Sequence, residues 1–178
     1  ERLFFKHFTG IDLMINNMIV SMMRIFKDDV RRVNHALKVY GFAHAISISE
    51  NITGPPKDII EMAAVLHDIG IKEAERKYGS AAGNYQEIEG PPIARDILEA
   101  LGIPAEIIDR VCFIIGNHHS YQKIDDIDFQ ILVEADFLVN MHEDEMKRNS
   151  IESVLKKYFR TGAGKEIAAS LYLNPVDQ

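Results

Sequence analysis

The feature that most constrains this chain is an apolar segment that carries a histidine next to an aspartate. Residues 63–70 read Ala-Ala-Val-Leu-His-Asp-Ile-Gly, so a helix-forming run reaches His67 and Asp68 and then a glycine. Ionisable groups at the end of an apolar helix are costly to bury unless a partner compensates them. A divalent metal is such a partner, because neutral imidazole and carboxylate are both ligands for Zn, Mn or Fe. Since chance alone gives about 0.5 His-Asp pairs in a chain of this composition, the rest of the sequence has to supply further ligands.

Length and charge predict one folded domain that does not bind nucleic acid or membranes. The 178 residues, 47% of them hydrophobic, suit a single domain over 1–178. The formal net charge is −7, and no run of Lys or Arg is longer than two residues. This balance argues against a general nucleic-acid or membrane-surface binder, while a local basic pocket for a phosphate stays open.

Cysteine usage and hydropathy indicate a cytoplasmic protein. Cys112 is the single cysteine, so no intramolecular disulfide can form, and its apolar neighbours predict a small core residue. No segment reaches the roughly 18 apolar residues that span a bilayer. The Met- and Ile-rich run 11–26 is interrupted by polar residues and lacks a basic lead-in, so it is not a convincing signal peptide. Its methionine stripe predicts packing on the core or on a second subunit of a homodimer.

Apolar residues at helical spacing predict an all-α chain with no strand and no internal repeat. Asp28 and Asp29 are expected to cap one helix, and Gly70 is expected to end another. Glycines and prolines are dense between Tyr78 and Pro92, which predicts a long loop of the kind that is often functional. The predicted helices cover about 13–26, 30–47, 57–67, 93–101, 104–115, 129–141, 151–160 and 165–173.

Two further polar residues stand on otherwise apolar helices. A lone histidine such as His35 is more often a hydrogen-bonded core or surface residue than a ligand. Asp136 is harder to dismiss, because it lies in the run Ile-Leu-Val-Glu-Ala-Asp-Phe-Leu-Val. A buried unpaired carboxylate would take up a proton because desolvation raises its pKa, whereas a metal favours the charged form. Asp136 therefore favours a metal site.

Taken together, these residues resemble the signature of the HD superfamily of metal-dependent phosphohydrolases. An isolated helical His, an apolar helix ending in His-Asp-Ile-Gly and a later apolar helix with Ala-Asp follow in that order, separated by 32 and 68 residues. The resemblance implies a compact multi-helix HD-domain bundle with its core at about 28–141, on which the terminal helices pack. It also implies one divalent transition metal (Fe, Mn, Zn, Co or Ni), with coordination positions left for water and a phosphate oxygen. The metal ligands that it implies are His35, His67, Asp68 and Asp136.

The Asn-His-His run that contains His118 and His119 leaves a second metal open. In binuclear branches of the superfamily, histidines at this point of the chain bind a second ion, and another histidine lies near the start of the helix after the loop. Residues 84–89 read Asn-Tyr-Gln-Glu-Ile-Glu, without a histidine, so one metal is favoured over two. Glu87 or Glu89 could still serve as an oxygen ligand or act on the nucleophilic water. The Gly-Tyr-Pro signature of cyclic-dinucleotide phosphodiesterases is absent, so that activity is not assigned.

Helical geometry adds two candidate residues to the site, and nearness to the central motif adds a third. Asn140, four residues after Asp136, shares its face and could support that ligand or contact the substrate. Arg31, four residues before His35, points near the metal side and could meet a phosphate. Lys72, just past the central motif, is the other cationic candidate.

The same geometry excludes the remaining histidines. His44 falls about half a turn away from the face of His35, and His142 falls about 240° away from that of Asp136. His7 lies in the charged N-terminal segment. None of the three is assigned to the site.

The resemblance implies hydrolysis of a phosphomonoester or phosphodiester by a metal-activated water. The substrate would be a nucleotide or a related small metabolite. Asp68 would orient the water or accept its proton. His118 or His119 would stabilise the departing oxygen or bind the phosphate, and Lys72 and Arg31 could supplement them.

Two alternatives stay open at this point. The domain could be a catalytically weak module that binds a metal and senses a nucleotide, which the missing loop histidine and the unusual stretch 86–92 would allow. It could also be a helical bundle with incidental polar residues. Metal analysis separates the bundle from the other two, and turnover on a phosphoester panel separates the enzyme from the sensor.

Overall fold

The fold is built from helices, nearly all of them α-helices, within residues 10–174, which are the residues that the computed structural model describes. No strand forms in this range, as the apolar spacing predicts. A 3₁₀ turn spans Tyr121–Lys123 and a π-helical turn spans Ala169–Leu173. The helices of this range are α1 (Gly10–Phe26), α2 (Val30–Ser49), α3 (Pro55–Leu66), α4 (Ile71–Tyr78), α5 (Gly83–Ala100), α6 (Ala105–Ile115), α7 (Ile127–Glu143), α8 (Arg148–Tyr158) and α9 (Gly162–Ala168).

Helix α3 is the centre of the bundle, with α2, α6 and α7 packed around it. Its residues from Ile60 to Leu66 are all buried, and all but Glu61 are apolar. A helix that is apolar on nearly every side has to be enclosed by its neighbours. Because α3 is enclosed, the residues that follow it, His67 and Asp68, are delivered into the interior of the protein.

Helices α1 and α2 show that two local predictions are correct. The methionine stripe of α1 packs in the core, where Met18 and Met22 are fully buried. Asp29 caps α2, and its side chain accepts a hydrogen bond from the backbone N–H of Arg32 at 3.2 Å.

Cys112 on α6 is buried, as its apolar neighbours predict. Among the helices of the described range, none is long and apolar enough to cross a membrane.

The predicted long loop between Tyr78 and Pro92 is wrong. Helix α4 extends to Tyr78, and helix α5 begins at residue 83 and continues through Pro91 and Pro92. Contacts between the two helices explain the difference. The rings of Tyr78 and Tyr85 stack with centroids 4.2 Å apart. Lys77 and Tyr78 donate hydrogen bonds of 2.6 and 2.8 Å to the carboxylate of Glu89. These tertiary contacts outweigh the poor helix propensity of glycine and proline.

Gly70 has a packing role instead of the predicted role as the terminator of a helix. Helix α3 ends before it, at Leu66, and Gly70 has an ordinary right-handed φ of −77°. A Cβ at Gly70 would lie 2.5 Å from the backbone nitrogen of Gly90 on α5, closer than real Cβ contacts. Only glycine therefore lets the turn after α3 touch the backbone of α5.

A buried carboxylate ties α7 to the last helices. Glu134 is fully buried, and its Oε1 accepts hydrogen bonds from Gln130 Nε2, Arg160 N and Thr161 N at 2.7, 2.6 and 3.0 Å. The hydroxyl of Thr161 donates to the other carboxylate oxygen. A buried charge with four donors is well satisfied, so Glu134 is a structural group.

Candidate metal centre

The four predicted ligands come from three helices and meet at the C-terminal end of α3. His35 comes from α2, His67 and Asp68 follow α3, and Asp136 comes from α7. His35 Nε2 lies 3.3 Å from His67 Nε2 and 3.2 Å from Asp136 Oδ1. Asp68 Oδ2 lies 3.4 Å from His67 Nε2 and 3.7 Å from His35 Nε2. Side chains that are far apart in sequence are thus within reach of a single ion.

Two histidines that follow helix ends present lone pairs to this centre. Nδ1 of His67 lies 2.9 Å from the carbonyl oxygen of Ala64, and Nδ1 of His118 lies 2.7 Å from that of Ile115. A carbonyl only accepts, so each Nδ1 carries the proton and each Nε2 is an acceptor in the neutral ring. Both Nε2 atoms face the carboxylate of Asp68, at 3.4 and 3.6 Å. Acceptors that face a carboxylate need a cation between them, either a proton on the ring or a metal ion. Burial lowers the pKa of His67, but without a metal the charge and hydrogen bond of Asp68 outweigh burial and raise that pKa.

The clearest indication of a cation site is His118 Nε2. The residue is 2% exposed. Among the residues that the structure describes, this nitrogen is the buried side-chain atom that lacks a hydrogen-bond partner. Leaving a buried polar atom unpaired costs about 1–3 kcal/mol. The set of imidazoles and carboxylates therefore fits a divalent transition metal.

Glu143 orients His35 from the side opposite to the ligands. Its Oε2 lies 3.0 Å from His35 Nδ1, and Lys38 pairs with its Oε1. Burial lowers the pKa of His35, but the hydrogen bond and charge of Asp136 outweigh it and raise that pKa to about 9. A carboxylate on the second ring nitrogen fixes the orientation of a metal-binding histidine. Sequence reasoning missed Glu143, although its position seven residues after Asp136 puts it on the same helical face.

Both central carboxylates are held in the ionised form. Burial raises the pKa of Asp68, but the charge on His67 and hydrogen bonds from neighbouring imidazoles bring it well below its usual value. Burial acts in the same direction on Asp136, whose pKa is lowered by the hydrogen bond of His35. Asn140 donates a 2.9 Å hydrogen bond to Asp136 Oδ1, on the face that its four-residue spacing predicts.

A second group of ligand atoms forms on the other side of Asp68. Asp68, His118 and His119 each offer one atom, and these atoms lie within 4.8 Å of one another. Burial and the charge of His118 lower the pKa of His119 to about 4, so its ring is neutral at pH 7. Gln86 of α5 lies nearby, with its Oε1 3.5 Å from His119 Nε2. This group would be the position of a second ion.

The two glutamates of α5 have other partners. Glu87 accepts hydrogen bonds from the backbone N–H of His119 at 3.1 Å and from the hydroxyl of Ser120 at 3.3 Å. It therefore holds the segment after α6. Glu89 accepts hydrogen bonds from Lys77 and Tyr78 of α4.

A cavity of about 250 Å³ opens over the first ligand group. The predicted residues Arg31 and Asn140 line it, as do Gln86 and His119. Arg31 is exposed and available to a phosphate. Lys72, predicted as a catalytic cation, instead has its Nζ 3.8 Å from Asp29 Oδ2 and does not line this cavity in the described structure.

The excluded histidines lie elsewhere. His44 Nδ1 is 2.7 Å from Glu61 Oε1 near the surface. His142 is exposed and lines a different cavity. His7 lies outside the described residues.

An all-α bundle whose central helix ends in His-Asp, joined there by His and Asp from two flanking helices, defines a class of helical metal-site domains. The family model of the HD domain matches residues 32–158, and the chain therefore belongs to the HD domain family.

Comparison with solved structures agrees with this fold. The crystal structure of a protein described as a predicted HD superfamily hydrolase, from an uncultured Thermotogales bacterium, is similar with a TM-score of 0.65. The two chains are 22% identical, and the match covers 88% of this chain and 84% of the other. No curated protein matches this chain.

Proposed function

We propose that this protein is a metal-dependent phosphohydrolase that cleaves a phosphomonoester or phosphodiester of a nucleotide or another small metabolite. The observation that carries the proposal is the meeting of His35, His67, Asp68 and Asp136 beneath a cavity that Arg31 also lines. Membership of the HD domain family supports metal-dependent hydrolysis as the general chemistry.

These four side chains would hold one divalent cation, with Fe, Mn, Zn, Co and Ni as the candidates. His67 and Asp68 come directly from the enclosed end of α3, so their positions are set by the fold before any ion binds. When bound, the ion supplies Lewis acidity, which lowers the pKa of a water and offsets charge on the phosphoryl oxygens.

Asp68 would orient the attacking water. Its two carboxylate oxygens face different histidines, Oδ2 towards His67 and Oδ1 towards His118. Because its pKa is well below the usual value, Asp68 is a weak base. We therefore propose that it orients the water and does not accept the proton of that water.

The cavity residues would bind the phosphoryl group and the departing oxygen. His119 reaches the cavity as a neutral ring and can donate one N–H to an oxygen. Arg31 would pair with a phosphate oxygen as a charged donor. Asn140 would keep the carboxylate of Asp136 in place through its hydrogen bond.

The test is metal-dependent turnover. The purified protein is loaded separately with Mn, Fe, Zn, Co or Ni and assayed on a chromogenic phosphomonoester, a phosphodiester and a panel of nucleotides. We expect turnover with at least one ion and none after chelation. The double substitution His67→Ala with Asp68→Ala should abolish it, while Asp96→Asn on the exposed face of α5 should not.

Two results would overturn the proposal. Activity that survives in the double variant would place the chemistry elsewhere. Metal and nucleotide binding without turnover on the whole panel would favour the sensor module, for which the lack of a histidine at 84–89 is the supporting observation. Circular dichroism of each variant checks that the helical fold is retained.

We also propose that the whole chain, 1–178, folds as one unit around the core at about 28–141. Support comes from buried residues outside this core, among them Met22 of α1, Ile151 of α8 and Phe159, which join the same apolar cluster. The homodimer stays a prediction, and sedimentation equilibrium tests it.

A further inference from the structure

A second cavity, of about 420 Å³, lies between the 3₁₀ turn, the start of α7 and the end of α8. Its lining combines aromatic rings, amides and cations, a composition typical of sites that bind small polar ligands. Its polar and aromatic lining residues are Tyr121, Gln122, Gln130, Lys157, Tyr158 and Arg160.

Aromatic contacts join this cavity to the metal centre. Tyr121 follows His119 by two residues, and its ring lies 5.2 Å from that of Phe137, the residue after Asp136. The ring of Tyr158 lies 4.7 Å from Tyr121 and stacks on Phe137 at 5.1 Å. His119 lines the cavity over the metal centre and Tyr121 lines this one, so the two cavities are neighbours along the segment after α6.

The cavity favours an electron-rich ligand. Lys157 and Arg160 are its charged lining residues within the described part of the chain, and no carboxylate is among that lining. This is a local reversal of the overall charge of −7. The guanidinium of Arg160 is held in place by bonds of 3.0 and 2.7 Å to the carbonyls of Phe159 and Lys157. Fixed donors of this kind suit the ring nitrogens and carbonyl oxygens of a base.

Gln130 adds a fixed acceptor. It is 8% exposed, and its Nε2 donates to Glu134 Oε1 at 2.7 Å and to the carbonyl of Tyr158 at 2.8 Å. Both amide hydrogens are thereby used, which leaves Oε1 as the group that can bind a ligand. An amide oxygen accepts hydrogen bonds from the N–H groups that nucleobases carry.

The two neighbouring cavities together offer room for a nucleotide. At about 250 Å³, the cavity over the metal centre is smaller than the roughly 300–1,000 Å³ of typical ligand sites. It has room for a phosphoryl group at the ligands, and the second cavity adds about 420 Å³ beside it. We propose that the second cavity binds the nucleoside part of a nucleotide whose phosphate lies at the metal centre, with the base against Tyr158 and its polar edge on Lys157, Arg160 and Gln130. This inference rests on the proposed phosphohydrolase function.

The experiment compares a nucleotide with a substrate that lacks only the base. Values of kcat/KM are measured for a panel of nucleoside 5′-monophosphates and for ribose 5-phosphate with the metal-loaded protein. At least one nucleotide should exceed ribose 5-phosphate by about tenfold or more. Lys157→Gln and Tyr158→Leu should each reduce this ratio severalfold, while Lys156→Gln, an exposed neighbour on α8 outside the cavity, should leave it unchanged.

A second measurement separates this inference from the proposed function. Binding of the same nucleosides, without phosphate, is measured by calorimetry on metal-free protein. Binding that Tyr158→Leu weakens supports the cavity even if no ester is hydrolysed, a result that would defeat only the proposed function. Equal turnover of nucleotides and ribose 5-phosphate, or a preference that survives both cavity variants, would overturn the inference.

Discussion

The two ligand groups around Asp68 are built alike but completed differently. In both, a histidine lies just beyond a helix end and donates its Nδ1 proton to a carbonyl three residues earlier, His67 after α3 and His118 after α6. The first group then gains His35 and Asp136 from two further helices. Within the described residues, the second gains His119, the next residue along the chain, besides Asp68.

This difference shows what a helix end can and cannot supply. A single chain segment places two adjacent ligands with little cost in backbone order, but it cannot surround an ion. Enclosure needs ligands from other helices, and within the described residues His35 of α2 and Asp136 of α7 supply them to the first group. On the side of α5, where a further ligand to the second group would stand, the structure has Gln86. We therefore expect the first group to bind an ion tightly and the second to bind one weakly if at all.

The largest effect is expected for Asp68→Asn, because both groups use this carboxylate. An amide lacks the charge that the ion needs, so kcat/KM should fall on the order of 10²–10³-fold or more. Metal content after gel filtration should fall with it. Asp96→Asn is the matched control on an exposed site. Activity within a few-fold of the wild type would show that Asp68 does not link the groups.

His118→Ala should separate the two groups. The first group is intact in this variant, so one equivalent of metal should remain while activity falls about 10–100-fold. The measurement is metal stoichiometry by mass spectrometry, together with kcat/KM. His44→Ala, which removes an imidazole near the surface, is the control. Two equivalents in the wild type and one in His118→Ala would contradict the prediction of a single metal.

Glu143→Gln should weaken the first group alone. Without the negative charge of the Glu143 carboxylate beside its Nδ1, His35 is a poorer ligand. The dissociation constant of the metal should therefore rise about tenfold. Competition with a chelator measures this constant. Glu145→Gln, an exposed glutamate two residues on, should leave it unchanged. An unaltered constant in Glu143→Gln would mean that the hydrogen bond to His35 has no role in metal binding.

The pKa of His35 predicts how the first group responds to pH. Its imidazole is protonated below about pH 9 in the metal-free protein, and the metal has to displace that proton. Metal affinity should therefore rise with pH, by up to about tenfold per unit, and level off above pH 9. Because the folded pKa is raised above 6.5, the stability that His35 contributes without metal is complete below pH 6.5 and lost as the pH rises through 9. Calorimetric titrations and denaturant melts across this range measure both.

The smallest effect is expected for Gly83→Ala, which touches only the second group. A Cβ at this position would lie 2.6 Å from the ring of His119, so the ring has to shift. Activity should fall a few-fold while metal content stays unchanged. The control is Gly41→Ala, where no atom lies within 4 Å of the new Cβ and the helix should gain about 0.5–1 kcal/mol of stability. Loss of metal from Gly83→Ala would show that His119 supports the first group as well.

Three members of the first ligand group break a local pattern, and His35 is predicted from the resemblance of their order along the chain to the HD signature. His67 and Asp68 interrupt an apolar run, and Asp136 stands among apolar neighbours. Asn140 follows from the four-residue spacing of a helix. Such signals depend on a few adjacent residues, and the all-α class follows from the same periodicity.

Features that depend on distant partners could not be predicted in this way. Glu143 meets His35 across 108 residues, and no local pattern marks that pair. The first half of α5 reads as a loop because of its glycines and prolines, and only its contacts with α4 make it helical. Lys72 is predicted as a catalytic cation from its nearness in sequence to the motif, but its position on α4 places its Nζ 3.8 Å from Asp29 Oδ2.

The contact between Gly70 and Gly90 has a mechanical consequence. Neither residue has a side chain that could rotate, so the two backbones meet directly and cannot adapt to each other by changing rotamers. Helix α5, with Gln86, is in this way coupled to the turn that carries Asp68. The short connection at 79–82, which precedes this coupled helix, places Ala81 in the lining of the same cavity.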